Sequence, residues 1–248
     1  MTDVINRARS LRSRAISYRE RGDWVAAERA HKEAIQLLRA DLEIAYDETE
    51  EPLTPDSHID AGAPVSPYVL QLAQELAQQW GSLGGTYRAK GDYVQSIDAY
   101  DAGYMLQINS VYGHDDSYNL VQRLIARILS DPSAWAEGKQ VAGVNVDQAM
   151  IAAKSEVERQ LAGPRKGDEW ALADRAILCT LMGSAEHAVV WADLNKRATQ
   201  AYVVTATLNM LKDVSSRLAA QPAKSPKLDH LLARINTAEQ TLSRLQPG

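Results

Sequence analysis

Residues 80 to 87 read Trp80-Gly81-Ser82-Leu83-Gly84-Gly85-Thr86-Tyr87, followed by Gly91-Asp92-Tyr93, Ser96, Tyr100 and Gly103. Large residues recur here at spacings of three and four, the period of one helix face. Gly91-Asp92 interrupts that period and it resumes at Tyr93. The stretch therefore predicts two helices joined by a tight turn, with glycine supplying the turn conformation and small residues allowing close approach. Shifted back 69 residues, the pattern returns as Leu11, Arg14, Ala15, Tyr18, Gly22-Asp23-Trp24, Ala27, His31 and Ala34. A fainter third copy reads Leu172, Arg175, Ala176, Cys179, Gly183, Ala188, Ala192 and Asn195. Fixed spacing of this kind marks a repeat architecture, in which a helix pair buries its apolar stripe by stacking on its neighbour.

Working outward, almost every segment keeps the helical period. Helices are predicted from Val4 to Tyr18, Trp24 to Tyr46, Pro67 to Ala89 and Tyr93 to Asn109. Further helices are predicted over Ser117 to Leu129, Asp147 to Leu161, Glu169 to Met182, Ala185 to Arg197 and Thr199 to Ala220. A last one begins at Pro226, capped by Ser225. Residues 131–145 and the Gly163-Pro164-Arg165-Lys166-Gly167 break read as loops, as does the proline-rich 49–67. The organisation predicted is all-α, about ten helices in a single domain over 1–248. Within it, 1–48 is a first repeat with an extended second helix, 68–109 a second repeat and 117–162 a degenerate pair. Residues 168–197 form a third repeat-like pair and 199–246 the C-terminal helices.

Composition agrees. The 248 residues are 45% hydrophobic, enough for a core, and the abundant types are straight-chain helix formers. No run of 18 apolar residues and no apolar N-terminal stretch is present, so neither a membrane span nor a signal peptide is expected. The single Cys179 fits a reducing cytoplasm. Net charge is −5 but unevenly laid out: residues 1–39 carry nine Lys/Arg against five Asp/Glu, and residues 40–87 carry nine Asp/Glu with no Lys or Arg. A basic helix pair beside a solvated acidic face accounts for this; so does a basic surface for an acidic partner. Nucleic-acid binding is not expected, because a domain-wide basic excess and interleaved stacking aromatics are missing.

The 80–103 string resembles the signature of the tetratricopeptide repeat (TPR), W-x-x-L-G-x-x-Y followed by G-D-Y, a small residue, an aromatic and another small residue. The resemblance implies an irregular helical solenoid with a concave wall lined by the first helix of each pair. The proline that usually closes a repeat is replaced by Arg39 and Ile108. A weaker resemblance, carried by Asp116-Ser117-Tyr118-Asn119-Leu120-Val121 and Trp170-Ala171-Leu172-Ala173-Asp174, is to degenerate TPR regions of stress-kinase kinase kinases and of bacterial signalling or defence proteins. Carried over, the inner wall consists of Arg9, Arg12, Ile16 and Arg19, then Gln78, Gly81, Gly85 and Arg88. Trp170, Ala173, Ile177 and Leu181 line the third copy. Gly81 and Gly85 each cost a helix about 0.8–1 kcal/mol relative to Ala, so close packing against that wall is expected, by a partner or by the chain itself. Ile16 and Ser82 stand where the family's carboxylate clamp has asparagines, which argues against chaperone-type specificity.

No constellation for chemistry emerges. His31, His58, His114, His187 and His230 are scattered, and Asp115 or Asp116 is better read as a helix cap than as a metal ligand beside His114. Cys179 occupies the slot of Tyr18 and Tyr87 and reads as a buried apolar residue. Gly163 to Gly167 lacks the Gly-Lys-Ser/Thr end of a phosphate loop, and Glu48, Glu50 and Glu51 read as solvated. The prediction is a cytoplasmic, non-catalytic adaptor or regulatory protein without cofactor or metal, binding a peptide or protein, acidic in one reading. The alternative is a ligand- or peptide-gated sensor subunit of a separately encoded enzyme. In the last helix Leu228, Leu231, Ile235, Ala238, Leu242 and Leu245 form a seam, predicted to cap the chain's own helices in preference to making a dimer.

Overall fold

A computed structural model describes residues 2–47, 65–109, 111–197, 200–220 and 225–243. These residues form eleven α-helices and no strand, apart from an isolated bridge between Val141 and Val144. Most of the proline-rich 49–67 stretch, with Glu48, Glu50, Glu51 and His58, lies outside the described residues. So do Leu245 and the side chain of Leu242. No helix is long and apolar enough to cross a membrane. Where the sequence reading draws one domain over 1–248, the helices gather into two compact units, 1–114 and 115–248.

Unit 1 holds α1 (Thr2–Glu20), α2 (Trp24–Asp47), α3 (Pro67–Lys90) and α4 (Tyr93–Gln107). The second helix is 24 residues long. α1 packs on α2 and on α3, α2 on α3, and α3 on α4. The two turns share their main closing bonds. Asp23 N donates to Tyr18 O at 2.9 Å, and Asp92 N donates to Tyr87 O at 2.9 Å. Gly22 N and Gly91 N donate to Arg19 O and Arg88 O, both at 3.0 Å, with φ of +76° and +87°. Each aspartate then caps the next helix, Asp23 Oδ1 accepting from Ala26 N at 3.0 Å and Asp92 Oδ1 from Gln95 N at 3.3 Å. Every one of these pairs is 69 residues apart.

Small residues set the helix spacing in both pairs. Ala15 and Ala27 are fully buried. Their counterparts are Gly84 and Ser96, whose Oγ donates to Gly84 O at 2.9 Å. Ile5, Leu11, Leu38, Leu72, Leu76, Leu83 and Tyr87 build the core around them. Each contributes about 1.5–3 kcal/mol by leaving water.

Unit 2 contains α5 (Tyr118–Ser130), α6 (Pro132–Ala136), α7 (Val146–Ala162), α8 (Glu169–Met182), α9 (His187–Arg197), α10 (Ala201–Ala219) and α11 (Pro226–Ser243). α8 is the hub, contacted by α5, α7, α9, α10 and α11. Helix α6 falls in a stretch read as loop, being too short to display a period. Its signals are local: Asp131 Oδ1 accepts from Ala134 N at 2.9 Å, Pro132 opens the helix, and Trp135 is buried.

The third repeat copy holds through α8 and fails in α9. Ser184 N donates to Cys179 O at 3.0 Å and Gly183 takes φ +68°, reproducing the turn, and Cys179 is buried. An added turn at Ala185-Glu186 then delays α9 to His187. Ala188 and Ala192 are exposed, while Val190, Trp191 and Leu194 are buried. Burying Trp191, whose Nε1 donates to Thr180 Oγ1 at 2.9 Å, outweighs burying two alanines.

Candidate functional site

The arginine row on α1 is half engaged within the chain. Arg9 Nε donates to Glu75 Oε1 at 2.7 Å and its terminal nitrogen makes a second, shorter bond to the same oxygen. Arg12 donates to Gln78 Oε1 at 2.7 Å and lies 3.4 Å from Glu75 Oε2. The Glu75 side chain is only 5% exposed, so these arginines neutralise a carboxylate that α3 carries into the interior. Hydrogen bonding to Glu75 holds the Arg9 pKa above its ordinary value, whereas burial lowers that of Arg12. Ile16, Arg19 and Arg88 are half-buried, and Gly81 and Gly85 are buried. A partner backbone thus has no open approach at the two glycines. The open part of the row is Arg9, whose side chain is 47% exposed.

Behind Arg12 and Arg19 lies His31, fully buried. Gln79 Nε2 donates to Ala8 O at 2.9 Å, which turns Gln79 Oε1 toward His31 Nδ1 at 3.4 Å. Thr86 Oγ1 stands 3.3 Å from His31 Nε2. This arrangement places the imidazole proton on Nδ1. Burial, aided by the charges of Arg19 and Arg12, pushes the His31 pKa down to about 4. As a neutral ring His31 joins α2 to α3, and Gln79 carries the link on to α1.

The opposite side of α3 carries a feature that the sequence reading did not single out. Trp80 and Leu76 form the floor of an open trough walled by α2 and α4. Two hollows of ≈ 580 and ≈ 390 Å³ meet at Arg39, Trp80 and Ala102. Met105 is 62% exposed at the α4 wall, and Leu106 and Tyr112 are half-buried beside it. A signal was present: α4 has apolar residues at Val94, Ile97, Ala99, Tyr100, Ala102, Met105 and Leu106, more than one stripe can bury. The missing closing proline at Ile108 belongs to the same stretch.

In unit 2 the apolar row of α8 is closed by the chain itself. Ala173, Ile177 and Leu181 are buried, and Trp170, 38% exposed, meets the Tyr202 ring at 5.7 Å between centroids. The last-helix seam is buried at Leu228, Leu231, Ile235 and Ala238. Arg234 fixes it in place, its Nε donating to Thr180 O at 2.8 Å at the C-terminal end of α8. Lys227 Nζ donates to Asp147 Oδ2 at 2.7 Å and lies 4.2 Å from the Trp135 ring centroid.

The two short strings 116–121 and 170–174 meet in space. Ser117 Oγ donates to Asp174 Oδ2 at 2.5 Å, and Arg165 donates to Ser117 Oγ at 2.7 Å and to Asp168 Oδ2 at 2.8 Å. Burial pushes the Asp174 pKa up to about 7. The sequence reading has Asp115 or Asp116 cap a helix starting at Ser117, whereas α5 starts at Tyr118 with Ser117 at the cap position. Asp116 Oδ1 accepts from Tyr118 N at 2.9 Å, and Asp115 Oδ1 accepts from Arg159 at 2.6 Å. Among the described residues no group of three or more His, Cys, Asp or Glu is placed to hold a metal ion.

No family model, curated protein or solved structure matches the chain.

Proposed function

We propose that the chain is a non-catalytic adaptor or regulatory protein, built on an irregular TPR-like helical solenoid, that holds a segment of a partner polypeptide on unit 1. The observation that carries this reading is the open trough of unit 1, an apolar floor at Leu76 and Trp80 that the four helices leave unfilled. The 69-residue repetition of turn and cap geometry supports the TPR-like part. An apolar concavity on a rigid helical frame is suited to a polypeptide segment. The arginine row has a secondary part, because Arg9 and Arg12 already serve Glu75, and Arg19 is its remaining charge on α1. An enzyme encoded separately is one such partner, and the chain is then its accessory subunit.

The test is affinity capture on the tagged full chain in its native host, followed by titration of the enriched protein at two salt concentrations. A polypeptide enriched by the wild type and lost with Met105→Glu or Arg19→Glu supports the reading. Affinity that falls steeply with salt assigns the contact to the arginines, and affinity indifferent to salt assigns it to the trough. Failure to enrich any polypeptide above control sinks the proposal.

A further inference from the structure

We infer that the trough of unit 1 accepts one amphipathic α-helix of a partner, about three turns long, with an acidic flank toward α2 and a basic flank toward α4. The inference rests on the adaptor reading and adds the shape and charge of what is held. Lys32 to Glu43 of α2, Leu76 to Tyr87 of α3 and Gln95 to Leu106 of α4 line it. Each of these stretches covers about 16 Å at 1.5 Å per residue, so the trough has the length of a helix of about 11 residues. The walls run parallel to each other and the floor runs opposite, since the low-numbered ends of α2 and α4 meet the high-numbered end of α3. A fourth helix laid in this trough antiparallel to both walls meets them with opposed dipoles. An extended strand would find no sheet edge here to pair with, and its main-chain groups would go unsatisfied against Trp80 and Leu76.

Charge supplies the second argument. The α2 rim presents Lys32 and Arg39, each exposed and held by a carboxylate one turn away, Glu28 at 2.7 Å and Glu43 at 3.7 Å. Such exposed pairs are weak and exchange readily for a partner's carboxylate. The α4 rim presents Asp98, exposed, which has no ion-pair partner among the described residues. Basic side chains on that flank of the occupant complete it.

The probe is a side-chain-stapled peptide of about 12 residues with leucines at i, i+3, i+4 and i+7, glutamates on one flank and lysines on the other. Its labelled form is titrated with the full chain. Saturable binding is expected, weakened about tenfold or more by Met105→Glu, which puts a charge on the apolar wall at an exposed position. Asp98→Lys weakens it about threefold, and a peptide that keeps its glutamates toward α2 but carries glutamates in place of the lysines toward α4 restores it. No saturation with wild type overturns the inference, as does equal binding by Met105→Glu with its thermal midpoint unchanged. Self-association of the chain that Met105→Glu abolishes assigns the trough to a second copy and also overturns it. The two proposals fail separately. A native partner that binds Met105→Glu as well as wild type removes the trough and keeps the adaptor. A peptide that binds with the expected variant pattern while no native partner is enriched keeps the trough and removes the adaptor.

Discussion

The ring of Tyr100 lies on the α-carbon of Gly84: a Cβ built at Gly84 would stand 2.9 Å from three of its ring carbons. Both residues are buried, so the ring has nowhere to retreat. Gly84→Ala gains about 1 kcal/mol of helix propensity but overpacks the α3–α4 contact by about 1–3 kcal/mol, for a net loss of up to about 2 kcal/mol in urea unfolding. Adding Tyr100→Leu to Gly84→Ala should recover part of it. Ala27→Leu, at the other repeat, should cost about 1–3 kcal/mol by the same overpacking. An unchanged thermal midpoint for Ala27→Leu would mean that the first pair is registered wrongly.

Arg9→Ala removes the principal partner of a carboxylate that is 5% exposed. The expected loss is about 1–3 kcal/mol, reduced from the fully buried case because the arginine itself is half open to water. Glu75→Gln in the Arg9→Ala background should restore part of that stability, since a neutral amide tolerates burial better. If Arg9→Ala unfolds at the wild-type urea midpoint, the pair is not structural and Arg9 is free for a partner.

Stability should respond to pH with opposite signs at His31 and Asp174. His31 has its pKa depressed from 6.5 to about 4, so its contribution is full above about pH 6.5 and is lost as pH falls toward 4. The loss amounts to about 3 kcal/mol. Asp174 is raised from 3.8 to about 7, so its contribution is full below about pH 3.8 and is lost as pH rises through 7, by about 4 kcal/mol. His31 lies in unit 1 and Asp174 in unit 2, so each slope belongs to the unfolding of its own unit. Between about pH 4 and 6.5 His31→Gln should remove the rise of stability with pH in unit 1, and Asp174→Asn the fall in unit 2. Chemical denaturation of each variant from pH 4 to 8 measures the slopes, and parallel curves for both variants and wild type would refute the linkage.

Truncation after Gln221 removes the buried Leu228, Leu231, Ile235 and Ala238 and the Arg234 bond to Thr180 O. The shortened chain should lose solubility and melt at lower temperature, and the intact chain should not dimerise through this helix. Sedimentation decides: an intact dimer that becomes a well-folded monomer on truncation would make the seam an intermolecular contact.

Period and punctuation in the sequence determined the all-α class, the helix breaks at Gly22, Gly91 and Gly183, and the equivalence of the first two pairs. These are local quantities: the 3.6-residue period and a glycine φ are written within a few residues of each other. The sequence also placed the buried slot of Cys179. Tertiary packing decided the rest. The α9 register shifted because Trp191 has more surface to bury than Ala188 and Ala192, a competition across helices that spacing alone does not weigh. Arg9 and Arg12 faced Glu75 and Gln78 because α1 lies against α3, a contact between residues 66 positions apart. The trough over Trp80 is likewise set by what α2 and α4 leave uncovered, and the sequence holds only its residues.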